Sequence, residues 1–112
     1  MDKGIIRTVK KYVDSVAKQL PGLVSAYIFG SYAKNTQRPE SDIDVALVID
    51  NLSDNDKFDT QVRLMMLAST IDNRLEPHPI SSQDMNSNNP FAVEIGKTGI
   101  EIKVNNPYRI IG

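Results

Sequence analysis

The chain has 112 residues, 40% of them apolar and 24% charged, and a net charge of −1. That size suits one compact domain with a single core, and the near-neutral charge argues against nucleic acid as a direct ligand, which needs a clearly basic face. Cysteine is absent and His78 is the only histidine, which excludes disulfides, thiol catalysis, cysteine zinc sites and two-histidine metal motifs.

Ile6, Val9, Val13, Val16 and Leu20 recur at spacings of three and four, predicting an amphipathic helix with Arg7, Lys10 and Lys11 on its solvated side. Pro21-Gly22 is expected to end it, with Gly22 suited to a left-handed cap. This start has helical periodicity in place of a signal peptide, and no apolar run approaches the roughly 20 residues that span a membrane. A soluble, cytoplasmic protein is expected.

Leu23 to Phe29 is rich in β-formers and predicts a strand entering Gly30. Residues 31–41 are polar and predict a short helical turn, then a loop. Ile43 to Ile49 is almost continuously apolar after Asp44, as in a central strand covered on both faces. Residues 50–56 predict a loop whose carboxylates suit helix capping, since the glycine and final glutamate of a calcium loop are missing.

Lys57 to Asn73 predicts a second helix with a wide apolar belt. Phe58, Val62 and Met65 lie on one side of it, and Leu64, Leu67, Ala68 and Ile71 on another. The belt fits either core burial or a partner interface with methionines as adaptable contacts. Leu75 to Ile80 predicts an edge strand because it carries Pro77 and Pro79. A polar loop over 81–90, a short helix from Phe91 to Lys97 and a strand from Ile100 to Val104 complete the expected fold. The fold class is α/β, a small mixed sheet packed with helices, with residues 1–104 as the domain and 105–112 as a tail.

The chemistry is concentrated in two short segments. Asp42 and Asp44 are two apart, so a strand presents both carboxylates on one face. Like charges held that close call for a cation, and magnesium takes one or two carboxylates together with substrate phosphates. Upstream, Gly30 lets the backbone approach a ligand, and the N–H groups of the turn beginning at Ser31 suit an anion. Lys34 and Arg38 add positive charge in the intervening loop. Taken singly, an Asp-x-Asp is usually a solvated strand end and Gly-Ser is a turn.

Their spacing changes this reading. Gly30-Ser31-Tyr32-Ala33, followed after Ser31 by ten residues and then by Asp42-Ile43-Asp44, resembles the signature of the minimal nucleotidyltransferases, members of the DNA polymerase β-like superfamily. The order of elements over residues 1–104 is similar as well. The resemblance implies a polymerase β palm-like fold. It also implies transfer of a nucleoside monophosphate, most often AMP from ATP, to a hydroxyl at a two-metal magnesium site. In that scheme Asp42 and Asp44 hold metal, the Gly30 backbone and Ser31 hold the triphosphate, and a third carboxylate serves the acceptor and the second metal. Glu76 is the only acid of the matching strand. His78 shares the face of Glu76, where it either assists or, the reading preferred from sequence, is a surface histidine.

The family's partner is commonly a helical protein of the HEPN type, with the nucleotidyltransferase acting as an antitoxin that adds AMP to a toxin tyrosine. The chain departs from the family in reading Ala33-Lys34-Asn35 where Ala-Arg-Gly is usual. Asparagine is the next-best residue for a left-handed backbone, so the turn is expected to survive. The alternative is an inactive module of the same fold that neutralises a partner sterically through the second helix.

Overall fold

The computed structural model describes residues 1–105, and the expected tail beyond Asn105 lies outside the described residues. Helix α1 (Lys3–Gln19) starts where the Asp2 carboxylate accepts the Gly4 N–H at 2.7 Å. It buries Ile5, Val9, Tyr12, Val13, Val16 and Ala17, while Ile6 and Leu20 pack at the margin of the core. Gly22 is not a left-handed cap. The helix ends because Leu20 turns extended (φ −124°) with its N–H still on the Val16 carbonyl. Gly22 serves close approach instead: a Cβ there would stand 3.1 Å from the Asp50 carbonyl oxygen.

Four strands form one sheet in the order β3-β2-β1-β4. β1 (Leu23–Phe29) runs antiparallel to β2 (Ile43–Ile49) and to β4 (Ile100–Ile102). β2 runs parallel to β3 (Leu75–Ser81), so the chain crosses over between them through α2 (Asp54–Ser69). Strand alternation divides β2 between two cores. Ile43, Val45, Leu47 and Ile49 pack in the α1 and α2 layer, and Ala46 and Val48 face the other side. That second side is covered by α4 (Pro90–Thr98) through Ala92 and Ile95. The near-continuous apolar run of β2 follows from this double cover.

α2 begins three residues before the expected start. Ser53 caps it by accepting the Asp56 N–H, and Asp54 and Asp56 complement its N-terminal dipole. The capping role expected of the carboxylates in this segment therefore holds, although the helix takes in part of the expected loop. It also stops earlier than expected, at Ser69, where the hydroxyls of Ser69 and Thr70 donate to the carbonyls of Met66 and Leu67. Leu64 and Ala68 are buried, and the Tyr12 hydroxyl donates to the Leu64 carbonyl at 2.9 Å, locking α1 to α2. Burial pushes the Tyr12 phenol up. The core reading of the belt holds for that side only, because Phe58, Val62, Met65 and Met66 are exposed.

β3 is an edge strand, as its prolines predict. The Gln61 side chain donates to the Pro77 carbonyl at 2.9 Å, so this residue turns its backbone away from β2. By alternation Pro79 does too, and neither proline removes a bond from the ladder. The expected loop after β3 contains a short helix, α3 (Ser82–Met85), capped by Ser81. Among the described residues no helix is long and apolar enough to cross a membrane.

Candidate active site

β1 delivers the chain into Gly30, which takes φ +72°. One helical turn follows, with the Lys34 N–H on the Gly30 carbonyl and the Thr36 N–H on the Ser31 carbonyl. The first N–H groups of such a turn have no partner within it, and donors of that kind suit an anion. Asn35 takes φ +58°, so asparagine does adopt the left-handed backbone here. Register explains why position 30 must be glycine: Phe29 pairs with Asp44, and a Cβ on Gly30 would overlap Oδ2 of Asp44.

The acids come together through the parallel pairing of β2 and β3. Asp44 lies opposite Glu76, and Ala46 lies opposite His78. Asp42 sits one residue before β2, whose start is held by the Ile43 N–H on the Arg74 carbonyl at 2.7 Å. Arg74 is itself fixed by a two-pronged contact with Asp72, at 3.0 and 2.8 Å, which holds the Asp72 carboxyl below its usual range. Asp42, Asp44 and Glu76 therefore share one end of the sheet face, beyond the cover of α4.

Glu76 shows what that crowding does. Its carboxyl is pushed above the usual range, first by a hydrogen bond with Asp42, then by desolvation and the charge of Asp44, against an opposing pull from His78. His78 is not the surface histidine preferred from sequence. It is half-buried, its Nε2 lies 3.1 Å from Asp44 Oδ1 and 3.9 Å from Glu76 Oε1, and its ring meets Phe29 edge-on at 5.0 Å. The signal was present in the sequence as the Glu76-x-His78 spacing, but which ring nitrogen meets which acid depends on register.

Ser31 stands at the start of this turn. Lys34 reaches α4, where it pairs with Glu94 at 3.0 Å, and this exposed pair is weak enough to yield to a stronger anion. Arg38 lies in the exposed loop, its backbone N–H on Ser41 Oγ. Neither basic residue is brought to the acids. Asp44, Glu76 and His78 each offer a ligand atom, all within 4.8 Å of one another. Oxygen donors with unrelieved like charge fit a hard divalent cation such as Mg²⁺, with Asp42 as a further carboxylate.

A pH-dependent stability follows for the metal-free protein. Glu76 holds its proton more tightly folded than unfolded, so its contribution is full below its unfolded pKa and lost as pH rises through the raised folded value. Metal-free Glu76→Gln is therefore expected to be slightly more stable than wild type at neutral pH and equal to it near pH 4. Melting curves in EDTA across that range check this. A variant less stable than wild type at neutral pH would contradict it.

The family profile described as Polymerase beta, Nucleotidyltransferase matches residues 11–108. The chain belongs to this nucleotidyltransferase family. Solved structures of the same fold include a candidate nucleotidyltransferase from Sulfolobus solfataricus, at 24% identity and TM-score 0.64, matched over 87% of this chain and 78% of the other. A toxin-antitoxin structure with AMP-PNP is 22% identical with TM-score 0.60, over 89% and 73% of the two chains. A mutant of the toxin-antitoxin MntA-HpeT is 20% identical with TM-score 0.58, over the same shares. No curated protein sequence matches the chain significantly. The nucleotidyltransferase domain thus has the α/β fold expected of it, a four-stranded mixed sheet with helices on both faces.

Proposed function

We propose that this nucleotidyltransferase moves a nucleoside monophosphate, AMP from ATP, onto a hydroxyl of a protein partner in the cytoplasm, using residues 1–104 as its working domain. The single observation that carries the reading is the fit of Gly30 against Asp44, which brings the turn and the paired acids together. The Gly30-Ser31 turn binds the triphosphate and keeps the pyrophosphate as it leaves, with Lys34 and Arg38 as nearby positive charge. Asp42, Asp44 and Glu76 are the metal-holding acids, and His78 fixes the carboxylate of Asp44. Mg²⁺ bound there supplies charge neutralisation for the phosphates and lowers the barrier to in-line displacement. The acceptor oxygen bonds to the α-phosphorus, the bond from that phosphorus to pyrophosphate breaks, and the hydroxyl proton passes to the Glu76 carboxylate.

The toxin-antitoxin structures of the same fold support an antitoxin role beside a protein partner, and the family resemblance supplies the HEPN-type helical protein as the acceptor. The second reading, a module that neutralises its partner sterically, draws on the exposed Phe58, Val62, Met65 and Met66, which need none of the acids. Calorimetry of ATP with Mg²⁺ tests the first reading against wild type and Asp42→Asn/Asp44→Asn. Metal-dependent binding by wild type alone supports transfer. A double variant that binds as well as wild type overturns it, and no binding even with the partner present favours the steric module.

A further inference from the structure

At 3.6 residues per turn, Phe58, Val62, Met65 and Met66 fall within an arc of about 100° on α2, away from the buried Leu64 and Ala68. They are 75%, 41%, 54% and 66% exposed. Together they leave on the order of 400 Å² of contiguous apolar surface in solvent, a size that marks an interaction site. The centre of this stripe falls between residues 61 and 62.

The charges along its border indicate what covers it. Asp59 and Arg63, one turn apart, flank the stripe on the side of α1, where both line a groove of about 450 Å³ with Gln19, Val62, Met66 and Thr70. Neither enters an ion pair among the described residues. Their midpoint is residue 61, so the opposite charges and the apolar stripe share one centre. A two-fold axis placed there, perpendicular to α2, keeps the flanks of two copies on the same side. It sets Asp59 of one copy against Arg63 of the other, and the reverse pair follows by symmetry. The same operation lays Phe58 of each copy against Met65 and Met66 of the other, a ring-to-sulfur contact that flexible methionines suit. At the crossing commonest between helices in globular proteins, about −50°, Phe58 reaches over the groove beside Met66. An unrelated partner gives no reason for an acid and a base placed symmetrically about the centre of the stripe. A second copy does.

We propose that α2 pairs antiparallel with α2 of a second copy of this chain. The dimer is held by the stripe from Phe58 to Met66 and oriented by two Asp59–Arg63 pairs. It stands apart from the transfer reading, since none of the acids at the candidate active site takes part. The steric reading places its partner on this same stripe, so self-pairing and that partner exclude each other.

Sedimentation equilibrium of the purified chain, from about 1 to 500 µM, tests the pairing. One helix face against another lies at the small end of specific interfaces, so a monomer–dimer equilibrium with a dissociation constant on the order of 10 µM is expected. Met66→Lys sets a charge in the stripe and should weaken the dimer at least about tenfold. Arg63→Asp and Asp59→Arg each bring like charges together at both pairs and should each weaken it about tenfold. All three side chains are exposed, so the fold is retained. Mixing Arg63→Asp with Asp59→Arg should restore association, because the two acids of one chain then face the two bases of the other. A chain that stays monomeric throughout overturns the proposal and leaves the stripe to a different protein. A dimer indifferent to Met66→Lys lies on another surface, and a mixture that fails to recover removes the antiparallel pairing.

Discussion

Gly30→Ala is expected to damage metal-dependent nucleotide binding far more than it damages the fold. Two separate effects act at this position. The backbone sits at φ +72°, where a Cβ costs about 1–2 kcal/mol, a penalty a domain of this size survives. The Cβ would also overlap Oδ2 of Asp44. That oxygen is the tip of a side chain, so the carboxylate swings away and the sheet stays in place. In swinging it leaves His78 Nε2, and the carboxylate proposed to hold metal loses its orientation. Loss of an orienting contact typically lowers metal affinity about 10–100-fold. Urea unfolding should therefore show a loss near 1–2 kcal/mol, while calorimetry shows Mg²⁺-ATP binding reduced by one to two decades. Unchanged nucleotide binding in Gly30→Ala would mean that the turn and Asp44 work independently.

The same pair of residues shows what could be read in the sequence and what could not. Gly30-Ser31 and Asp42-x-Asp44 are local patterns, and the strands that carry them are bounded by residues with strong preferences, so β1 and β2 appear as expected. Helix ends were harder, because a serine such as Ser53 reads equally as loop or cap until its hydroxyl is seen accepting the Asp56 N–H. Gly22 and Gly30 look alike in sequence, yet Gly22 needs close approach alone and Gly30 needs a positive φ as well. His78 was underrated for a different reason. Alternation places it on the face of Glu76, but its contact with Asp44, 34 residues away along the chain, comes from the parallel register of two strands with α2 between them. The exposed side of α2 also resisted reading, since apolar spacing describes a face without saying whether core or solvent meets it.

Asp44→Asn carries the second large expected effect, a fall in nucleotidyl transfer on the order of a thousandfold, or about 4 kcal/mol in the barrier. Asparagine keeps the shape of the side chain, and its Oδ1 can still accept from His78, so the sheet register is untouched. What is lost is one formal charge at the centre of the acid cluster. That loss relieves repulsion on Glu76, whose carboxyl is raised in part by Asp44, so the metal-free variant should melt no lower than wild type. Activity and stability then move in opposite directions, as expected where like charges are held together for a ligand and not for the fold. His78→Gln provides the ordering control. It removes the contact that orients Asp44, along with the ring contact on Phe29 and the charge beside Glu76, and leaves every carboxylate in place, so its loss of activity should be about 10–100-fold, smaller than that of Asp44→Asn. Transfer from α-labelled ATP to the partner, measured alongside melting curves, reads both quantities. Equal losses for the two variants would assign His78 a direct part in the reaction, and an active Asp44→Asn would remove the metal from the mechanism.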